Sequence, residues 1–131
     1  MHNLFTYGTL MVPAVLETIT GRSFRFEQAT VAGYARYRIK RQVFPGIIAD
    51  ANHTVTGMIY YDLDDQSLQR LDEFESHIYQ RRQVRVQLTG ADNTYADAYI
   101  IAQNYQLLLS GDEWKLEEFK RRHLQAYLSA L

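Results

Sequence analysis

Between Ala29 and Lys40, in ATVAGYARYRIK, the side chains separate into two parities: Val31, Gly33, Ala35, Tyr37 and Ile39 alternate with Tyr34, Arg36, Arg38 and Lys40. A period of two marks extended backbone, and a polar parity marks a face left in water. The pattern returns in YQRRQVRVQL, where Val84, Val86 and Leu88 alternate with Gln83, Arg85 and Gln87. TGADNT then reads as a hairpin turn into a strand from Tyr95 to Ala102, antiparallel to its predecessor. Further strands are expected at Asn3–Tyr7 and Val55–Tyr61, where Gly57 indicates a bulge or a close backbone approach.

Helices fall between these strands. Pro13 suits a first helical turn, so PAVLETITG is a short helix closed by Gly21. In DLDDQSLQRLDEFES, Asp64 fits an N-cap and Leu68, Leu71 and Phe74 recur near helical spacing. Asp112 is expected to cap a long terminal helix whose Leu116, Phe119, His123, Leu124, Tyr127 and Leu131 keep near one face. The order is neither a regular βαβ alternation nor all-β. It predicts a mixed α+β fold with a strongly curved or barrel-like sheet.

At 131 residues with 47% hydrophobic content, the chain can bury a core as a single domain spanning residues 1–131. It has no cysteine, which removes disulfides and thiolate chemistry and favours a cytoplasmic setting. His2, His53, His77 and His123 lie far apart without ligand-like spacing, so no metal site is expected. Nowhere do eighteen apolar residues follow one another, so no membrane partner is expected and the protein should be soluble and unprocessed. A net charge of −1 gives no electrostatic reason to expect nucleic acid.

Two features could carry chemistry. Glu75 continues the stripe of Leu68 and Leu71 at i, i+3, i+7, which points a carboxylate inward. Burial, the helix C-terminus, and Asp72 and Glu73 nearby would all raise its pKa. The same residue also fits a helix that ends by Phe74, with Glu75 turned into water. In YGTLM, Gly8 permits a positive φ that would converge the N–H groups of Gly8 to Leu10 into a concave anion nest. By itself the stretch fits better an ordinary turn, with Tyr7 in the core and Thr9 as a local cap. Pro45 and Gly46 in VFPGII read as a stiff turn. Arg81, Arg82 and Arg85 read as the wet exterior of a barrel.

YGTL near the amino terminus, then FPGI, VTGMIY and LDEFESHIYQRRQVRV, in this order over about residues 4 to 101, resemble the γ-glutamylcyclotransferase family, including its plant AIG2-like, bacterial YtfP-like and γ-glutamylamine cyclotransferase branches. The resemblance implies a compact mixed β-barrel flanked by short helices, with the terminal helix from Asp112 outside the matched region. It implies that Tyr7, Gly8, Thr9 and Leu10 hold the substrate, that Glu75 is the catalytic glutamate, and that Tyr79 lines the pocket. The family usually carries glycine after the glutamate, where this chain has Ser76.

The implied substrate is a small γ-glutamyl compound whose own α-amine attacks the γ-carbonyl, giving 5-oxoproline and releasing an amine or amino acid. Such a cyclisation needs no enzyme nucleophile, metal or cofactor. It needs the chain held folded, and a base that takes a proton from the α-ammonium and returns one to the leaving amine. The loops Gln42 to Asn52 and Gln103 to Asp112 are expected to wall the leaving group. Two other readings stay open: a non-catalytic barrel binding a small carboxylate or a partner through the same pocket, and a structural domain whose terminal helix forms a homodimer surface.

Overall fold

The computed structural model describes residues 1–90 and 92–131. The chain runs β1 (His2–Thr6), α1 (Pro13–Thr20), β2 (Phe26–Ile39), β3 (Pro45–Leu63) and α2 (Asp65–Glu75). It continues with β4 (Tyr79–Leu88), β5 (Asn93–Ile101), β6 (Leu109–Glu113), α3 (Leu116–Arg122) and α4 (Leu124–Ala130), with 3₁₀ turns at Thr9–Met11 and Gln103–Leu108. Strand neighbours follow the order β3-β1-β5-β4-β2, and β2 pairs back onto β3, closing a five-stranded barrel with β6 added beside β2. The β1–β5 pair is parallel and the other barrel pairs are antiparallel, so the barrel is mixed. Helices flank it, and the fold is α+β as expected.

Strand alternation separates two apolar clusters. Phe5, Val31, Ile47, Val55, Ile59, Val84, Val86 and Ala98 fill the barrel. Their neighbours Leu4, Tyr60 and Tyr99 point outward, where Val15, Leu16, Leu68, Leu71, Trp114 and Phe119 cover them. β1 and the stretches of β3 and β5 around Tyr60 and Tyr99 are therefore buried on both faces beneath the helices, whereas β4 keeps Arg82 and Arg85 in water. Arg81 lies on the same strand but engages Asp72 and Asp97, tying β4 to α2 and β5.

Several local expectations hold. Gly21 adopts the left-handed conformation that closes α1, at φ 76°. The Asp64 carboxylate accepts from the Ser67 N–H at 3.2 Å and from its hydroxyl at 2.6 Å, capping α2. At Gly57 an added Cβ would lie 2.1 Å from the Thr6 carbonyl oxygen, which is the close approach of β1 to β3.

Other expectations are corrected. Pro45 and Gly46 are not a turn: they open β3 opposite Arg38 and Tyr37, and Pro45 is tolerated as the first residue of the strand. The segment 42–52, read as a loop, is thus mostly strand. Gly33 breaks the β2 alternation at φ 87°, where the register against β3 shifts. Asp112 lies in β6 and pairs with Arg38 at 3.1 Å, and the terminal helix begins only at Leu116. It is interrupted at His123, and there Phe119 and Tyr127 meet edge to face with centroids 5.4 Å apart. The hairpin turn expected at TGADNT includes Ala91, which lies outside the described residues; Leu88 N–H and Asp92 C=O join across it at 2.9 Å.

Candidate active site

One cavity of about 130 Å³ opens between β1, the start of β3, the end of α2 and α4. Tyr7, Gly8, Thr9, Leu10, Glu75 and Tyr79, all singled out in the sequence, line it together. They come from three separate segments. β1 delivers the first four as it leaves the barrel, α2 delivers Glu75 as its last residue, and β4 begins with Tyr79.

Gly8 is needed for a reason other than the one expected. Its φ is −129°, so it makes no left-handed turn. Instead the ring of Pro45 occupies the space of a side chain, with Cδ and Cγ 2.7 and 2.8 Å from an ideal Cβ. The carbonyls of Gly8 and Thr9 accept from Met11 and Val12 at 2.9 and 3.2 Å, closing a 3₁₀ turn. Among the described residues, no protein carbonyl takes up the N–H groups of Gly8, Thr9 and Leu10. The first donors of such a turn have no internal partner, and here the residues that carry them line the cavity.

Glu75 is half-buried as a residue, and it lines the cavity. Burial pushes the Glu75 carboxyl up to about 8, and among the described residues no hydrogen bond holds its ionised form. Of the other influences expected on it, Asp72 is turned to Arg81 at 2.8 Å and Tyr99 at 2.7 Å, and Glu73 is exposed. Just beyond, Ser76 has φ 66° and ψ −176°, backbone that glycine adopts freely and serine does not.

Tyrosines surround this carboxyl. The Tyr7 hydroxyl donates to the Tyr99 carbonyl, Tyr79 to the Pro45 carbonyl at 2.7 Å, and Tyr99 to Asp72 at 2.7 Å. Tyr127 and Thr9 join hydroxyl to hydroxyl at 3.2 Å. Burial raises the pKa of all four phenols, and the charge of Glu75 adds to each, which places the hydroxyls around it. At pH 7 they are therefore neutral donors or acceptors.

The cavity also contains residues that the sequence did not mark as part of a site: Phe44, Phe74, Ile78, Tyr99 and Tyr127. Tyr99 shares the outward parity of β5 with Asp97 and Ile101, facing α2. Tyr127 was legible only as part of the apolar stripe of the terminal helix; its polar tip at the end of that stripe was the available signal. Of the two loops expected to wall the leaving group, 42–52 contributes Phe44 and Pro45, whereas none of the cavity residues comes from 103–112.

A family model described as gamma-glutamyl cyclotransferase, AIG2-like, matches residues 4–116. AIG2-like protein D of Arabidopsis thaliana is 33% identical over 130 residues, spanning 98% of this chain and 85% of that protein. A solution structure from Arabidopsis thaliana superposes with a TM-score of 0.78 at 26% identity, covering 98% of this chain and 87% of that one. A solved gamma-glutamyl cyclotransferase superposes with a TM-score of 0.66 at 17% identity over 77% of this chain and 66% of that one, a likeness of fold.

Proposed function

The chain belongs to the gamma-glutamyl cyclotransferase, AIG2-like family, and from that premise we propose that it cyclises a γ-glutamyl amide to 5-oxoproline, with Glu75 as general acid and base. The observation that carries this reading is the Glu75 carboxyl, desolvated and, among the described residues, without a hydrogen-bond partner, in one cavity with Gly8, Thr9 and Leu10, whose N–H groups no described carbonyl takes up.

Those N–H groups suit the substrate's α-carboxylate, which needs donors and brings a negative charge. With the carboxylate fixed, the glutamyl chain folds so that the α-nitrogen reaches the γ-carbonyl carbon through a five-membered ring. Intramolecular arrangement of this kind is worth on the order of 7–11 kcal/mol at best. In the free protein near pH 7 Glu75 is mostly protonated, given its position near 8. An α-ammonium arriving beside it favours the ionised form, so the pair reaches carboxylate and ammonium on binding.

Glu75 then takes a proton from the α-nitrogen as that nitrogen forms its bond to the γ-carbon. It gives the proton to the leaving nitrogen as the old C–N bond breaks, with the bonding pair departing on that nitrogen. The second proton of the ring nitrogen follows through the same carboxylate to the released amine, which departs as an ammonium, so atoms balance without water: one ammonium and one amide become one lactam and one ammonium. General acid–base transfer typically supplies about 10²–10⁴-fold. Tyr79, held on the Pro45 carbonyl, forms part of the wall beside the reacting atoms.

The test is release of 5-oxoproline from a panel of γ-glutamyl-amino acids and γ-glutamyl-lysine by wild type and Glu75→Gln. Turnover by wild type with a loss of about 10² or more in the variant supports the reading. Turnover by neither, or by both equally, removes Glu75 from the chemistry; ligand binding without turnover would favour a binding module instead.

A further inference from the structure

Tyr127 is a cavity residue that comes from beyond residue 116, where the family match ends. Its α4 backbone packs beside α1, and its ring rests edge to face on Phe119, which is fully buried against Trp114. The ring is thus fixed from behind while the hydroxyl projects to Thr9 at 3.2 Å. When Thr9 donates in that pair, the phenol oxygen accepts and its own proton is free for a ligand. Burial keeps the phenol protonated across the working pH range, so it is a donor there.

We propose that Tyr127 is a substrate-binding residue, brought in by the C-terminal helix, whose phenol O–H donates to the α-carboxylate of the γ-glutamyl group at the Thr9 side of the cavity. This rests on the γ-glutamyl reading of the site. Its consequence is that the C-terminal helix is part of the binding site and not only a cover for the barrel. Tyr127 carries no proton in the reaction: Glu75 does that, and Tyr127 holds the group on which Glu75 acts.

The test is Tyr127→Phe, which keeps the ring on Phe119 and removes only the hydroxyl. KM for a γ-glutamyl substrate is expected to rise about tenfold or more, the change carried by one hydrogen bond to a charged acceptor. kcat should stay within about twofold, which separates ground-state binding from proton transfer. The melting temperature should be unchanged. In parallel, calorimetry with glutarate, which has the carbon chain and a carboxylate at each end but no amine to cyclise, reads the same contact without the reaction. Its Kd should rise by the same factor in Tyr127→Phe. Loss of 5-oxoproline release in wild type, with that Kd difference intact, would remove the enzymatic reading and leave Tyr127 as a carboxylate ligand. Unchanged KM and Kd in the variant, a fall confined to kcat, or no glutarate binding by wild type would overturn the proposal.

Discussion

The ring of Pro45 stands where a side chain at position 8 would have to go, 2.7 Å from an ideal Cβ on Gly8. Pro45 is rigid, and its carbonyl also receives the Tyr79 hydroxyl at 2.7 Å, so it cannot move without moving the opposite wall. Gly8→Ala should therefore cost about 1–3 kcal/mol of stability by overpacking. It should also lower kcat/KM well beyond that of a surface variant. Pro45→Ala removes the obstructing Cγ and Cδ atoms, so the double variant should recover part of both losses. A double-mutant cycle that shows strict additivity would disconnect the two residues.

Ser76 holds φ 66° and ψ −176° immediately after Glu75. Such backbone costs a non-glycine residue on the order of 1–3 kcal/mol, so Ser76→Gly should raise the urea midpoint accordingly. Because the backbone path is already the glycine path, 5-oxoproline release should persist. A destabilised Ser76→Gly variant would mean that serine makes a compensating contact.

Burial places the Glu75 carboxyl near 8 in the free protein. Since kcat/KM reports the free enzyme, it should climb with pH through an apparent pKa of about 8 as the base form accumulates. The substrate's ammonium adds its own limb, which Glu75→Gln leaves in place. Profiles of the same shape for wild type and variant would take the limb away from Glu75.

The same shift bears on stability. The folded protein binds a proton at Glu75 that the unfolded chain has already released between about 4.3 and about 8. The unfolding free energy contributed by this group thus falls as pH rises across that window. Glu75→Gln should be more stable than wild type at pH 8.5, and the difference should shrink toward pH 5. Thermal melts at both values check this. The full shift corresponds to about 5 kcal/mol, and access through the cavity mouth reduces it. An advantage equal at the two pH values would place the carboxyl in water.

Tyr99 donates to Asp72 at 2.7 Å, and Asp72 also takes a two-point contact from Arg81 at 2.8 and 3.1 Å. This joins the outer face of β5 to the last turns of α2, and so fixes Glu75. Asp72→Ala strands a mostly buried hydroxyl and should cost about 1–3 kcal/mol, with kcat falling as the helix end loosens. Removing that hydroxyl as well, in Asp72→Ala with Tyr99→Phe, should return part of the stability. Chemical denaturation of the single and double variants measures both; equal stabilities would show that the hydroxyl finds another acceptor.

Alternation in Ala29–Lys40 and Tyr79–Leu88, the helical stripe of Leu68, Leu71 and Glu75, and the caps at Asp64 and Gly21 are local properties, so the elements and the inward aim of Glu75 were legible from residues alone. FPGI misled for the same reason: a Pro-Gly pair is a local turn signal, and only pairing with β2 turns it into the start of a strand. Sequence also indicated that Gly8 mattered, while the cause, a proline ring 37 residues further on, exists only once β3 returns beside β1. Tyr127 shows the limit most clearly. An amphipathic stripe records that a side chain faces inward, but which cavity its hydroxyl reaches depends on how the helix breaks at His123 and lies against α1. The sequence by itself determined most of the barrel's strands, the helices between them and the carboxylate on the inward stripe. The tertiary structure decided what surrounds that acid, because distant side chains meet only through packing, and packing carries no period along the chain.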